Sequence, residues 1–533
     1  MDVIESLELT AKLLDLHDGN VFKIKALSNA AYKLDKLRYN FEGKTEDDIN
    51  KIEGIGKSIA KTIIDTLKTG VNPELQELIN KTPAGVIDML SLKGLGPKKV
   101  KLLWQQLEIE SIGELLYACN ENRLITVKGF GEKTQTAVKQ AIDFKLANSN
   151  KFHFATINFF ITKLIDVITN QQPELQIQCV GELARKCEII TKVELLIDAD
   201  LNTDYSEVEK LCPLPINYIE CKPETFYYEL VKLSSTDKHL KLINFESLTT
   251  THFFSEEEVY EALELPYIDV ELREGLNEVE LAQQNNLPTL IEYTDLKGAL
   301  HNHTTYSDGV HTLKEMADFC VAQGYQYFGV CDHSKTAVYA NGLSIENVLK
   351  QHKEIEELNK TYSNFKIFKG IESDILGDGG LDYPEEILKQ FDFIVASVHS
   401  NLKMQEQQAT ERLIKAIENP YTTILGHPTG RLLLSRPGYP INHKKIIDAC
   451  AANNVCIELN AHPYRLDIDW RWIPYCLNKN VLISINPDAH HTQGLLDMHY
   501  GVFAARKGML SADYCLNTKS LKDLELFFNA KRK

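Results

Sequence analysis

KGALHNHTTYSDG (297–309) runs an apolar segment straight into His301 and His303, with Asp308 close behind. Six later segments repeat the pattern. They are YFGVCDH (327–333) ending on His333, FKIFKGIE (365–372) on Glu372, FIVASVH (393–399) on His399, TTILGH (422–427) on His427, VCIELN (455–460) on Asn460, and VLISINPDAH (481–490) on Asp488 and His490. Short apolar runs bounded by polar or glycine signals read as buried strands. Helical stretches separate them, and alternating strand–helix units imply a parallel sheet, here closed into a barrel. Such barrels carry their chemistry at the carboxyl ends of the strands, and every ligand-type residue sits at such an end. His301 and His303 are two apart, so both face one side of a strand; Asp488 and His490 repeat that spacing. A lone histidine is more often structural, but twelve of the 16 histidines lie from His301 onward. Nine ligand-type side chains at successive strand ends predict a metal centre. Imidazole and carboxylate donors without cysteine suit Mn²⁺ or Zn²⁺, with Fe²⁺ also admitted.

At 533 residues the chain is long enough for three or more domains, and 44% hydrophobic content supplies their cores. No apolar stretch approaches the 18 residues of a membrane span. The start, MDVIESLELT, lacks the basic and apolar regions of a secretory signal. Eleven scattered cysteines without a CxxC pair read as reduced thiols, so a cytoplasmic location is expected. The net charge of −17 argues against nonspecific polyanion binding. Residues 1–150 nevertheless hold about as many basic as acidic side chains, which leaves room for a local nucleic-acid footprint.

That first third carries a threefold repeat: KIEGIGKSIAKTI (51–63), SLKGLGPKKVKLL (91–103) and TVKGFGEKTQTAV (126–138). Each sets Gly-apolar-Gly before an amphipathic helix: Gly54 and Gly56, Gly94 and Gly96, Gly129 and Gly131. The glycines permit a tight turn with positive φ and point free N–H groups at a phosphate. Lys57, Lys98, Lys99 and Lys133 follow them. The repeat resembles the helix-hairpin-helix motif, which grips a DNA backbone without reading sequence; plain helical hairpin turns are the alternative.

Ahead of it, VFKIKALSNAAYKL (21–34) with Lys23, Lys25 and Lys33 resembles the N-terminal lyase-type domain of family X DNA polymerases, although Leu27 stands where that family usually has Tyr. EEEVYEALELPYIDVELREG (256–275) resembles the thumb of the family, and LIEYTDLKG (290–298) is a junction. HNHTTYSDG, CDHSK, GIESDI, SVHS, GHPTGR and NPDAH resemble the PHP (polymerase and histidinol phosphatase) domain that bacterial family X polymerases often carry. The whole chain therefore resembles a bacterial family X polymerase. The fold expected is multidomain α+β: helical helix-hairpin-helix domains over 1–80 and 81–150 (fingers-like), a palm over 151–245, a thumb over 246–293, and a (βα)7-type PHP barrel over 294–533.

The resemblance also exposes an altered palm. The family's Gly-Ser-x-Arg-Arg approach to an Asp-x-Asp pair matches GELARKCEIITKVELLI (181–197), with Gly181 and Glu188 in register. Glu182 replaces the nucleotide-gripping Ser, Ala184 replaces one Arg, and Arg185 remains. The paired Asp positions fall on Lys192 and Glu194 and the third on Asn217; the Thr-Gly-Ser turn reads Ser234-Ser235-Thr236. Two-metal polymerisation needs three converging carboxylates, so a palm fold without polymerase chemistry is expected. Asp198-x-Asp200 has the right spacing but lies four residues later, about 13 Å along a strand.

For the barrel, the resemblance implies two or three divalent metals. His301, His303, Glu372 and Asp488 hold the first. Glu372 bridges to a second with His399 and His427. Asp308, His333 and His490 hold a third. Arg431, Arg465 and Lys335 follow strand ends and are expected on phosphoryl oxygens, with a surface ion pair as the alternative for each. His311, His462 and His491 are read as supporting or solvent-facing. The function implied is a metal-dependent DNA phosphoesterase, a 3′-to-5′ exonuclease with abasic endonuclease or 3′-phosphatase action admitted, working as a monomer on gapped DNA or 3′ ends. The alternatives are an active proofreading polymerase, a histidinol-phosphatase-like phosphomonoesterase, and a noncatalytic DNA-binding scaffold.

Overall fold

The computed structural model describes residues 2–37, 39–120, 124, 127, 129–147, 150–201, 203–434 and 437–531. Two compact units divide at residues 149 and 150.

In the first unit, helices Val3–Leu16, Val21–Lys36, Glu46–Asn50 and Lys57–Thr69 enclose Leu7, Leu27, Leu34, Ile49 and Ile63. Helices Pro73–Asn80, Ala84–Met89, Pro97–Leu107, Ile112–Asn120 and Glu132–Ala147 enclose Val86, Met89, Val100, Leu103 and Ile142. The three glycine turns share one conformation. Gly54, Gly94 and Gly129 take φ of +86°, +88° and +94°, a region closed to most side chains. Gly56 and Gly96 then cap the helices opening at Lys57 and Pro97 in extended conformation. A Cβ at Gly94, Gly96, Gly129 or Gly131 would meet nothing within 4 Å, so each turn is open to an approaching phosphate. Lys99 Nζ donates to the Gly94 carbonyl at 3.1 Å, holding a cation on the second turn. Thr126 and Lys128 of the third repeat lie outside the described residues.

The second unit opens with β1 (Phe152–His153), antiparallel to β3 (Ile189–Ile190). Helix Phe154–Gln171 packs on a sheet of order β2 (Ile177–Cys179), β4 (Val193–Ile197), β5 (Ile216–Glu220). A thumb-like cluster follows around Tyr260, Ile268 and Val279. Buried within it, Arg273 donates to the Ile268 carbonyl at 2.9 Å and to Glu256 at 2.7 Å.

The remaining strands are β6 (Gly298–Ala299), β7 (Tyr327–Val330), β8 (Lys366–Asp374), β9 (Phe393–Ser397), β10 (Ile424–Leu425), β11 (Cys456–Asn460) and β12 (Ile483–Asn486). They form one parallel sheet in chain order. Its edges meet beyond β6 and β12, where His303 N–H donates to the Ala489 carbonyl and Val310 N–H to the His490 carbonyl, both at 2.8 Å. The sheet is thus a nearly closed seven-stranded barrel, with helices such as Leu313–Ala322, Ile345–Asn359, Glu406–Ile417 and His443–Asn453 between its strands and Met498–Lys507 after the last of them.

Inward side chains of the barrel include Leu300, Tyr327, Phe368, Phe393 and Val395. Gly370 makes room for Phe393, whose Cζ would lie 2.5 Å from an added Cβ. The C-terminal helix Leu521–Lys531 inserts Phe528, stacked on Phe393 at 5.1 Å and 8° and edge-on to Phe368 at 5.2 Å. Phe528 is buried and has no polar atom to compensate for its removal. Phe528→Ala is expected to cost about 3–5 kcal/mol through lost burial and the cavity left behind, read as a lower urea midpoint of the barrel's unfolding transition.

Candidate metal centre

The strands deliver their last residues to one mouth of the barrel because each apolar run ends where the ring of backbone pairing ends. Glu372, on β8, lies at the centre of the cluster and is almost wholly buried. Its Oε1 is 3.1 Å from His399 Nε2, 3.1 Å from His427 Nε2 and 3.3 Å from His301 Nε2. Its Oε2 is 2.8 Å from His333 Nδ1 and 3.8 Å from His303 Nε2. Asp488 Oδ1 is 3.0 Å from His303 Nε2 and 3.7 Å from His301 Nε2. Asp308 Oδ1 faces His490 Nε2 at 3.3 Å, His333 Nε2 at 3.7 Å and His303 Nδ1 at 3.9 Å.

All nine residues singled out in the sequence thus meet in one cluster. Three groups have donor atoms within 4.8 Å of one another: His303, Asp308, His333 and His490; His301, His303 and Asp488; His333, Glu372 and His399. The partition differs from the one the family resemblance implies. His303 reaches into the Asp308 group and His333 into the Glu372 group, while His427 joins through Glu372 alone.

The donors fit bound cations on two counts. Among the described residues, His301 Nε2, His303 Nδ1 and Glu372 Oε2 are buried and find no partner in hydrogen-bonding geometry, only the ion-pair neighbours above, and a buried polar atom left so is costly unless something else satisfies it. Second, five carboxylates crowd this mouth, the three above with Asp374 and Glu458, and Arg465 Nε approaches Asp488 Oδ2 at 3.7 Å. Burial would raise Glu372, but His399, His301 and His333 outweigh it and hold the carboxyl far below its usual range. Burial, then the neighbouring His490 and His333, push His303 down to about 3. Against burial, the surrounding carboxylates raise His301, His490 and His399, the last to about 10, so cations would bind there with release of protons.

Two carboxylates that the sequence reading passed over orient the ligands. Glu458 on β11 is fully buried and pairs with His301 Nδ1 at 2.6 Å. It also accepts from His427 N–H at 3.1 Å, Asn460 Nδ2 at 3.0 Å and Asn486 Nδ2 at 2.8 Å. Asp374 holds His399 Nδ1 at 2.5 Å and accepts from the Thr336 hydroxyl at 2.7 Å. Each fixes which imidazole nitrogen faces the cluster. Both lie two residues from a marked strand-end residue, Glu458 before Asn460 and Asp374 after Glu372. That period of two was the available signal. Asn460 itself donates to Asp488 Oδ2 at 3.1 Å and so positions a ligand. Glu458→Gln keeps the volume but removes the charge, and is expected to weaken metal binding about 10–100-fold, measured by calorimetric titration of the metal-free protein.

Arg431 takes a different place from the one expected of it. Its guanidinium donates to the carbonyls of Arg465 (2.9 Å) and Leu466 and to Asp469 at 2.8 Å. Three of its bonds are spent bracing the loop after β11, so its structural contacts are with that loop. Arg465, carried by the same loop, approaches the cluster itself. Lys335 follows His333 and is exposed at the barrel mouth. His311 Nδ1 accepts from Thr492 N–H, His462 Nδ1 from Tyr464 N–H and His491 Nδ1 from Gly494 N–H, so each caps a loop.

In the palm, Glu194 and Asn217 stand opposite each other in the β4–β5 register. Lys192 immediately precedes β4. Glu182 folds back and accepts from Thr191 N–H at 2.6 Å, the Thr191 hydroxyl at 2.9 Å and Lys192 N–H at 3.3 Å. Arg185 is drawn to Glu274 at 3.4 Å, which Lys507 Nζ also holds at 2.6 Å. Asp198 accepts from Gln176 N–H at 2.9 Å and Gln176 Nε2 at 3.0 Å.

A parallel barrel with histidines and carboxylates gathered at its carboxyl mouth, preceded by glycine-turn hairpins, defines a metal-dependent phosphoesterase with a nucleic-acid-binding arm. Matches to known families agree. The helix-hairpin-helix domain matches residues 1–72, the SAM-like helix-hairpin-helix tandem 86–142, and the PHP domain 299–462. The DNA polymerase/3′-5′ exonuclease PolX of Bacillus subtilis (strain 168) is 32% identical over 99% of this chain and 98% of its own length. The chain belongs to that family, the family X DNA polymerases with a C-terminal PHP domain. A probable phosphatase of Thermoanaerobacter sp. (strain X514) is 28% identical over 44% of this chain and 95% of its own. A crystal structure of histidinol phosphate phosphatase from Lactococcus lactis, complexed with zinc, L-histidinol and phosphate, is 16% identical and covers 40% of this chain and 93% of that one, at a TM-score of 0.32.

Proposed function

We propose that the chain removes nucleotides from DNA 3′ ends by metal-dependent phosphodiester hydrolysis, and that the barrel mouth is its only catalytic centre. The observation that carries this reading is the convergence of six histidines and three carboxylates at the barrel mouth of a chain that also carries three glycine turns, the second and third of them open. Two or three divalent cations, Mn²⁺ or Zn²⁺, held by His301, His303, Asp308, His333, Glu372, His399, His427, Asp488 and His490 would supply Lewis acidity toward the phosphoryl oxygens and a water acidified to react near neutral pH. The side chains do the rest. Glu458 and Asp374 keep His301 and His399 aimed at the cluster. Arg465 is placed to pair with a nonbridging phosphoryl oxygen, and Arg431 fixes its loop. Lys335 offers a second cation from the loop after β7.

The hairpins supply the substrate. Gly54, Gly56 and Lys57; Gly94, Gly96, Lys98 and Lys99; and Gly129, Gly131 and Lys133 offer backbone N–H groups and ammonium charges to successive phosphates. The palm contributes a surface and no polymerisation, because Lys192 puts a cation where a metal must bind and Asn217 removes a carboxylate. A monomer suffices, since one chain carries every ligand, and the reduced thiols fit a cytoplasmic repair role.

A 5′-labelled oligonucleotide with a recessed 3′ end, incubated with Mn²⁺, tests the reading. The expected product is a ladder shortened one nucleotide at a time. Intact DNA beside rapid hydrolysis of histidinol phosphate would favour a small-molecule phosphatase instead, and no hydrolysis of either would favour a scaffold.

A further inference from the structure

Tyr464 stands in the loop after β11, one residue before Arg465, whose Nε is 3.7 Å from the cluster ligand Asp488. Tyr464 is 48% exposed. One of its faces is covered: the imidazole of His153, on β1, stacks on it at 4.1 Å and 24°. The stack is held in place by the backbone. His153 Nε2 bonds the Leu433 carbonyl at 3.0 Å, and Leu433 N–H donates to the Tyr464 carbonyl at 2.7 Å. Tyr464 N–H in turn donates to His462 Nδ1 at 3.2 Å, and the His462 ring meets the tyrosine edge-on at 5.3 Å. Arg431 braces the same loop through the Arg465 and Leu466 carbonyls. The ring is therefore backed by a second ring, fixed by a circuit of contacts, and half exposed in the loop whose next residue, Arg465, reaches Asp488.

We propose that Tyr464, backed by His153, is a stacking platform for the nucleobase of the nucleotide being removed. The inference rests on the exonuclease reading and names the part of the substrate that the barrel recognises. A nucleotide whose phosphodiester lay on the cluster and Arg465 would bring its base toward this same loop, in which Tyr464 is the residue next to Arg465. Every base offers a π-face, so such a platform favours a nucleotide over a bare phosphoester without choosing among bases. A ring already stacked and anchored loses little freedom on binding. The role is positioning: Tyr464 touches the base, and the reacting atoms lie with the cluster and Arg465.

The test compares two oligonucleotides that differ only at the 3′ terminus, one ending in thymidine and one in a tetrahydrofuran residue that lacks a base. Wild type is expected to prefer the thymidine end in kcat/KM, chiefly through KM. Tyr464→Ala should shrink that preference about tenfold, within the range of a base–aromatic stack, and Tyr464→Trp should keep it. An equal preference in wild type and Tyr464→Ala overturns the platform while leaving the exonuclease intact. A binding measurement separates the two readings if hydrolysis is absent. With 2-aminopurine at a 3′ terminus joined by a nonhydrolysable linkage, the wild-type protein should quench fluorescence and Tyr464→Ala should not. Equal quenching would again overturn the platform, whatever the catalytic result. Unchanged metal content in Tyr464→Ala and Tyr464→Trp verifies that the cluster is intact in both.

Discussion

Glu372→Gln lowers kcat/KM for DNA hydrolysis by about 10³-fold, the upper range for removing one preorganised charged contact from a reaction centre. The expectation follows from where the carboxylate lies. Its two oxygens face five imidazoles. Glutamine fills the same space but carries no charge, and its NH₂ group would point donors at the place of a cation. The fold should survive, because the isostere leaves no cavity. Mass-spectrometric metal content should fall together with activity, while binding to DNA through the hairpins persists. A variant that kept full metal content and a tenth or more of wild-type activity would remove Glu372 from the centre of the mechanism.

Primer extension on gapped DNA gives no product above background, with Mg²⁺ or with Mn²⁺. Two-metal nucleotide transfer needs carboxylates converging from neighbouring strands. The register sets Glu194 opposite Asn217, with Lys192 at the start of the same strand. One carboxylate thus stands where three are required. The nucleotide-gripping side is altered as well. Glu182 is tied to Thr191, and Arg185 is engaged with Glu274, itself held by Lys507 of the barrel helix Met498–Lys507. The substitute pair fails on geometry, since Asp198 is committed to Gln176. Robust incorporation lost on Glu194→Ala would reinstate the polymerase.

The barrel and most of the residues gathered at its mouth were legible because they follow apolar runs closely, and strand periodicity puts alternate residues on one face. The same rule marks Glu458 and Asp374. They read as ordinary strand carboxylates because nothing in sequence distinguishes a group that binds a metal from one that binds a histidine. The partners of Arg431 were not legible either: besides Asp469 they are the backbone carbonyls of Arg465 and Leu466, and carbonyl positions have no sequence signature. The order of these residues along the chain does not by itself fix distances across the mouth, so the grouping of donors came from the family resemblance. Phe528 on the last helix and His153 on β1 meet the barrel only through the tertiary fold, which joins residues far apart in sequence.

The barrel mouth as sole catalytic centre is tested most directly on one gapped duplex carrying a 5′-labelled primer, incubated with Mn²⁺ and all four dNTPs, using wild type and His399→Ala. The predicted result is a primer shortened by wild type, left at its original length by His399→Ala, and lengthened by neither. Shortening that persists in His399→Ala, or lengthening by either protein, would contradict it.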